Sequence, residues 1–291
     1  MQNARLRASA PSLSAPSRLV VEPIVRAALL EDIGHGSDLT TDAIVDAEAQ
    51  ASARVVARAS GVVAGLDIAS LAFTMLGDVA VTANAADGEL VDANATIARI
   101  RGRARALLTG ERTALNILGR LCGIATLTHR LVALTHGTKA RIADTRKTTP
   151  GLRVLEKYAV RCGGGVNHRF GLDDAVLIKD NHLAVAGSVS AAIAAVRASV
   201  GHTVKIEVEV DTLAQLREAL DASVDAVLLD NMTLEQLSEA VRIVDGRAIV
   251  EASGGVTAQT VAAISATGVD LISSGALTHS APALDVALDF D

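Results

Sequence analysis

After Lys139 the chain alternates short apolar runs with amphipathic stretches, and this rhythm constrains the fold more than any other feature. The apolar runs are KARIADTRK, DAVLIKDNH, VKIEVEVD, DAVLLDN, AIVEASGG and VDLISSGA; between the later ones lie SVSAAIAAVRASV, TLAQLREALDAS, TLEQLSEAVRIV and TAQTVAAISATG. Repeated strand and helix units bury both faces of a parallel sheet, and the last four strands recur at about 21 residues, the spacing of tight βα units. Each strand ends in a polar residue that can point into one shared mouth. The pattern therefore predicts an α/β barrel rather than an open sheet, whose ligand groups gather at a switch point. Six strands are visible, two short of a complete eight-stranded barrel.

The residues before this region follow a different pattern. VEPIVRAALLEDIG has a helical period, strand-like pieces surround Arg54 to Ala59 and Ile97 to Ile100, and turn signals stand at Asp87, Gly88 and Asn94, which suggests an α+β domain. A long helix is predicted over ARALLTGERTALNILGRLCGIATLTHRLVAL, where Leu107, Leu108, Leu115, Leu118 and Leu121 recur at helical spacings. Aromatic residues make up only 1% of the chain, so Val, Leu, Ile and Ala must pack its interior. The first segment, MQNARLRASAPSLSAPSR, is rich in Ser, Arg and Ala and reads as a tail more readily than as a targeting peptide.

Composition excludes several roles. A net charge of -6 argues against a nucleic-acid partner or an anionic membrane surface, so any anion site is local. No apolar run reaches the roughly 18 to 20 residues that span a bilayer, and no secretory signal is evident, so no membrane partner is expected. Cys122 and Cys162 are the only cysteines and lack metal-ligand spacing, so a cytoplasmic location and two bystander thiols are expected.

Read in order, the strand ends carry Asp144, Thr145, Arg146 and Lys147; Lys179 to His182; Glu209 and Asp211; Asp230 and Asn231; Glu251 and Ser253; then Ser274 and Gly275. A lone charge there is usually a solvated loop position, but six strands in succession point to an active-site rim. Cations fall on the first two strands and carboxylates on the next two, so one wall of the mouth attracts anions and the other a metal cation. His168 and Arg169 enlarge the cationic wall, and Arg112 on the long helix is a further candidate. Arg presents a fork suited to carboxylate or phosphate, so this cluster suggests a substrate with several negative charges. Glu209 and Asp230 are candidates for magnesium or for an acid and base pair, whereas Glu207 and Asp225 are expected to face solvent or to mark strand starts.

Three glycine sites carry further expectations. Gly163 to Gly165 form either a loop that lets backbone approach a ligand or a helix end. Ser253, Gly254 and Gly255, and the SSGA stretch around Gly275, each lie between a strand and a helix, where backbone N–H groups and the helix dipole favour a phosphate.

The stretches ERTALNILGRLCGIAT, ADTRKTTPGLRVLEKYAVRCGGGVNHRFGLDDAVLIKDNH, EVEVD, LLDNM, EASGG and GALTHSAPALD resemble the quinolinate phosphoribosyltransferase family, and EDIGHGSDLTT and GVVAGLDIASLAF resemble its first domain. The resemblance implies an α/β protein with three parts: a tail over 1–17, an N-terminal α/β sandwich domain over 18–116 joined by 282–291, and an atypical barrel of fewer than eight strands over 117–281. It implies phosphoribosyl transfer from phosphoribosyl pyrophosphate to quinolinate with decarboxylation, giving nicotinate mononucleotide in NAD biosynthesis. It also implies a homodimer whose active site takes Arg112 from the partner subunit. On the family's pattern Thr145, Arg146, Lys147, His168, Arg169 and Lys179 line the pocket for the pyridine carboxylates and nearby phosphates. Glu209 and Asp230 serve the ribose and magnesium, while Ser253, Gly254, Gly255 and Gly275 cradle the 5-phosphate. Lys147, Lys179, Glu209 and Asp230 are the expected catalytic groups. Cys122 stands where the family more often has Ser, GSDLTT carries one residue beyond the commoner GDLT, and Asn94 stands where Gly is usual. The alternatives are a phosphoribosyltransferase acting on nicotinate or another anionic base without decarboxylation, a Schiff-base aldolase using Lys147 or Lys179, and a non-catalytic phosphosugar sensor.

Overall fold

A computed structural model describes residues 13–291. The expected tail thus lies largely outside the described residues. Ser17 caps the first helix, α1 (Arg18–Ile33), its side chain accepting from the Leu19 N–H. The chain divides into two compact units, one running to Cys122 and including Ala283–Asp291, the other Gly123–Pro282.

The first unit continues with α2 (Leu39–Ile44), β1 (Gln50–Ala57), β2 (Gly61–Val62), α3 (Leu66–Thr74), β3 (Val79–Ala83), β4 (Leu90–Val91) and β5 (Thr96–Arg103). Next comes the long helix α4 (Ala104–Ala133), within which the division falls after Cys122. Asp38 starts α2 by accepting from both the N–H and the hydroxyl of Thr41. β1 is the centre of an antiparallel sheet, with β5 and then β3 on one side and the terminal strand Val286–Phe290 on the other. Val55, Val56, Ile97 and Ile100 from the sheet and Leu107, Leu115, Leu118 and Leu121 from α4 are buried; Leu108 is the half-turned exception on that helix. The two turn signals are real: Gly88 and Asn94 both have positive φ, and Asn tolerates that region better than most residues. Cys122 is buried on α4 and accepts from the Ala64 N–H; burial pushes its thiol up to about 12, which leaves it unreactive.

The second unit holds β6 (Arg141–Ala143), α5 (Arg153–Cys162), β7 (Val176–Ile178), α6 (Asp180–Ala186), α7 (Val189–Ser199), β8 (Ile206–Val210) and α8 (Leu213–Asp221). It continues through β9 (Ala226–Asp230), α9 (Leu234–Val244), β10 (Ile249–Ser253), α10 (Val261–Ala266), β11 (Leu271–Ser273) and α11 (Ala276–His279), after which the chain returns to the first unit as β12 (Val286–Phe290). Six parallel strands follow the order β6-β11-β10-β9-β8-β7. Among the described residues β6 and β7 share no ladder, and the outer edge of β6 makes a single parallel bridge, Ala143 to Val166. The sheet is thus a barrel of six strands, open at one seam. Ser188, Thr212 and Thr233 cap α7, α8 and α9, the last two as reciprocal capping boxes with Gln215 and Gln236, a pattern written into TLAQ and TLEQ.

The glycine run after α5 serves packing. A Cβ at Gly163 stands 2.4 Å from the Ala125 carbonyl, and one at Gly165 stands 2.8 Å from both Thr128 Cγ2 and Val160 Cγ1. Those two positions let the end of α5 lie against α4, which is the helix-end reading of the run. Among the described residues no single helix is long and apolar enough to cross a membrane.

Candidate functional site

Alternation along a strand sends every second side chain to the same face. On the inner face this places Leu177 with Lys179, Glu207 with Glu209, Leu228 with Asp230, and Glu251 with Ser253, while Val208, Val227 and Val250 are buried on the other side. The mouth of the barrel is a cavity of about 380 Å³ that gathers Thr145, Arg146, Lys147, His168, Arg169, Lys179, Glu209, Asp230 and Ser253 from the expected set, with Leu177, Leu228, Glu251 and Ser273. Lys179 Nζ donates to Glu209 Oε2 at 2.8 Å, joining the cationic wall to the acidic one.

Two guanidinium groups dominate the cationic wall. Arg146 Nε and Arg169 Nε are both buried without a hydrogen-bond partner. Arg169 donates from Nη1 to the Ala175 carbonyl, and burial, then the neighbouring Arg146 charge, pull it below the ordinary arginine value against Asp174 and Glu207. Two like charges with unused donors at the edge of a cavity form a receptor for an anion.

The loops that carry these cations are anchored by the strand-end Asp144 and by Lys157, a helix residue with no strand-end signature in the sequence. Lys157 on α5 and Asp144 at the end of β6 are each 0% exposed and hydrogen-bonded to one another. Lys157 Nζ also donates to the His168 carbonyl, and Asp144 accepts from the His168 N–H and from Asn167 Nδ2. Burial raises the Asp144 carboxyl and lowers the Lys157 ammonium, and each opposes the other's shift; four hydrogen bonds in a closed set offset part of the cost of burying the pair.

Below the mouth, Glu207 corrects an expectation. It does not face solvent: it is 13% exposed and accepts from His168 Nε2 at 2.9 Å. The reason is the period of two, which puts Glu207 on the inner face once Glu209 is there. Asp225, in contrast, does mark a strand start, accepting from the Ile206 N–H and from Lys205. His168 Nδ1 accepts from the Arg169 N–H, so the ring proton sits on Nε2. Burial pushes this imidazole down, and the Glu207 hydrogen bond with the Glu251 and Glu207 charges reverses the shift to a net rise. Ligand atoms of His168, Glu207 and Glu251 lie within 4.8 Å of one another, a metal-like spacing. The tautomer argues against an ion there, because a metal on Nε2 moves the proton to Nδ1, where it meets the Arg169 N–H.

Glu251 is 1% exposed, and its Oε1 has no partner. Burial first, then the Glu207 charge, raise its carboxyl to about 7. The folded chain therefore binds more protons than the unfolded one between the ordinary 4.5 and about 7. Stability falls as pH rises through that window and levels off above it. His168, also raised, acts in the same direction. Urea unfolding at pH 5 and pH 8 is expected to show this loss in the wild-type chain and a smaller one in Glu251→Gln; equal losses in the two would exclude Glu251 as its source.

The glycine loops hold a further correction. Ser253, Gly254 and Gly255 do not abut a helix: α10 begins at Val261 and is only six residues long, so no helix dipole reaches them. Gly254 and Gly255 have positive φ instead, and a Cβ at Gly254 stands 2.1 Å from Asn231 Oδ1. Gly275 does precede a helix, the four-residue α11, and a Cβ there stands 2.7 Å from Lys147 Cδ, so this glycine makes room for the lysine stem. Arg112 belongs to the first unit, where it lines a groove with Asp38 and Thr109. Asp180, Asn181 and His182, expected in a strand-end loop, form the first turn of α6, with His182 Nδ1 accepting from the Lys179 N–H.

Comparison with known proteins finds one family over both units. The profile of the family described as quinolinate phosphoribosyl transferase, N-terminal domain, matches residues 38–122, and that of its C-terminal domain matches residues 124–289. The chain is 46% identical over 271 residues to nicotinate-nucleotide pyrophosphorylase (carboxylating) of Mycobacterium leprae, covering 91% of this chain and 95% of the relative. It is 43% identical over 274 residues to the probable nicotinate-nucleotide pyrophosphorylase (carboxylating) of Bacillus subtilis, covering 94% of each. The crystal structure of NadC from Streptococcus pyogenes superposes with a TM-score of 0.92 at 42% identity, covering 95% of this chain and 98% of that one. With both domain profiles matched over most of its length and a cationic pocket built on the same segments, the chain belongs to the quinolinate phosphoribosyltransferase family.

Proposed function

We propose that the chain joins quinolinate to phosphoribosyl pyrophosphate, releasing pyrophosphate and carbon dioxide and leaving nicotinate mononucleotide, a step of de novo NAD biosynthesis. The observation that carries this reading is the pair of buried Nε atoms on Arg146 and Arg169 that no protein group satisfies. Each buried donor without an acceptor costs about 1–3 kcal/mol, and a bound carboxylate supplies both the acceptor and the counter-charge. A pyridine with adjacent carboxylates offers two such groups at a fixed angle.

In this reading Arg146, Lys147, Arg169 and Lys179 hold the two carboxylates, while His168, whose ring nitrogens are engaged by the Arg169 N–H and Glu207, lines the pocket with Thr145 beside them. The pyridine nitrogen attacks the anomeric carbon as its bond to the diphosphate breaks, and the Glu209 and Asp230 wall stabilises positive charge on the ribose. Once ribosylated, the nitrogen carries a positive charge that stabilises the electron pair left on carbon 2 when its carboxylate departs as carbon dioxide; a proton then takes that place. Ser253, Gly254, Gly255 and Gly275 receive the 5-phosphate, for which the open space at Gly255 and its positive φ are the support.

Magnesium fits the acidic wall. Lys179 engages one oxygen of Glu209 and Asn231 one oxygen of Asp230, which leaves each carboxylate a second hard oxygen donor. Magnesium takes few protein ligands and keeps substrate phosphates and water, so two carboxylates suffice. When bound, it neutralises charge on the departing diphosphate. The active form in this reading is a homodimer in which Arg112 of one copy serves the cavity of the other. Leu19, Leu39 and Ile44 of the first unit, 87%, 81% and 77% exposed, supply apolar surface for such an interface. Two buried thiols outside any disulfide accord with a reducing cytoplasm.

The test is release of carbon dioxide from carboxyl-labelled quinolinate in the presence of phosphoribosyl pyrophosphate and magnesium. Stoichiometric carbon dioxide and nicotinate mononucleotide are the expected result, and turnover of nicotinate with none of quinolinate would sink the reading.

A further inference from the structure

One face of α5 touches both cationic loops. Arg153, Glu156 and Lys157 stand at i, i+3 and i+4, so they share a stripe of the helix. Glu156 is fully buried, and its two carboxylate oxygens accept from the N–H of Thr149 at 3.0 Å and from its hydroxyl at 2.8 Å. Thr149 lies two residues beyond Lys147, so Glu156 anchors the loop that presents Arg146 and Lys147. Lys157 reaches both loops, donating to the His168 carbonyl in the second and to Asp144, two residues before Arg146, at the root of the first. Arg153 joins the two directly, donating from Nε to Thr148 Oγ1 at 3.0 Å and from Nη1 to the Phe170 carbonyl at 2.8 Å.

A buried charge on a helix demands partners, and here Thr149, Asp144 and the His168 carbonyl, partners of Glu156 and Lys157, lie in or next to the loops that carry pocket cations. Three adjacent charged residues therefore convert the rigid geometry of one helical turn into a fixed separation between Arg146–Lys147 and Arg169. We propose that the Arg153, Glu156 and Lys157 face of α5 is a spacer that sets the distance between the two cationic loops and thereby selects a dicarboxylate over a monocarboxylate. These three are positioning residues; none of them lines the cavity. The proposal rests on the reading of Arg146 and Arg169 as the carboxylate receptors.

A single carboxylate needs only one loop in place, whereas two carboxylates on one ring need both at a set separation. Glu156→Ala and Arg153→Met are therefore expected to weaken quinolinate roughly 10-fold while nicotinate, used as the monocarboxylate probe, changes by less than about 2-fold. Calorimetry on the full chain reads both affinities, and the KM for phosphoribosyl pyrophosphate serves as a control. Glu156→Gln, which keeps one acceptor for Thr149, should recover part of the loss. Arg153 lies only partly buried, so its variant keeps the test available should Glu156→Ala not fold. Equal losses for both acids, or a lower melting temperature with an unchanged affinity ratio, would overturn the spacer. Arg146→Ala run in parallel separates the two ideas: if it also leaves quinolinate affinity untouched, the carboxylate reading itself has failed.

Discussion

Arg146→Ala and Arg169→Ala are each expected to weaken quinolinate binding by about 2–5 kcal/mol, on the order of 30-fold to several thousand-fold. The size follows from what each variant leaves behind. Removing one guanidinium takes away a charge-assisted fork and leaves a carboxylate facing a cavity that was shaped to pair it. The same substitution also removes a repulsion, because Arg146 is one of the causes that pull Arg169 down. Stability of the unliganded chain should consequently hold or rise as affinity collapses, the trade-off expected where a site is strained for its ligand. Calorimetric titration with quinolinate and urea unfolding of the same samples check both halves. Unchanged affinity in both variants defeats the assignment, and a fall in stability that parallels the fall in affinity would mean that the arginines are structural.

Lys157→Met is expected to cost about 3–5 kcal/mol of folding stability, because it strands a buried carboxylate. Asp144 then keeps Asn167 Nδ2 and the His168 N–H but loses the ammonium, and the His168 carbonyl loses a donor as well. Such a loss is a large share of the roughly 5–15 kcal/mol that holds a typical domain together. Urea unfolding of the variant measures it. Adding Asp144→Asn should restore part of the loss, since the second change removes the stranded charge, and non-additivity of that kind is the signature of a direct pair. A single-variant cost under about 1 kcal/mol would show that water reaches Asp144 and that the pair does not hold the His168 loop.

The extent to which these features could be read from the chain depended on the range of the forces involved. Strand ends were legible because a run such as DAVLIKDNH states its own boundary: apolar residues stop where the barrel opens. Helix starts were legible for a similar reason, with TLAQ and TLEQ carrying complete caps within four residues. Glu207 was misjudged because IEVEV alternates in a sheet covered on both faces, where the valines pack outward and the glutamates face the interior. Lys157 and Glu156 in LEKY look like the solvated side of a helix; their burial is decided by Asp144, Thr149 and His168, whose approach depends on the fold. Short pieces such as β2, β4 and α6 were invisible, being too brief to show a period. The glycines after β10 and β11 were expected to precede helix starts whose dipoles favour a phosphate, yet the helix that follows β10 starts too late for its dipole to matter.

The pairing of β12 with β1 has a consequence for biosynthesis. Registers Ala53 with Phe290 and Val55 with Leu288 join residues more than 230 positions apart, so one edge of β1 stays open until that many further residues have been made. At about 5–20 residues per second that interval lasts on the order of ten to fifty seconds, during which the uninterrupted second unit can emerge and settle. The segment synthesised first is the one completed last, and an exposed strand edge on the ribosome is the interval's hazard. Removal of β12 would thus disturb the first unit, whose β1 loses its partner, rather than the second unit that directly precedes it in the chain.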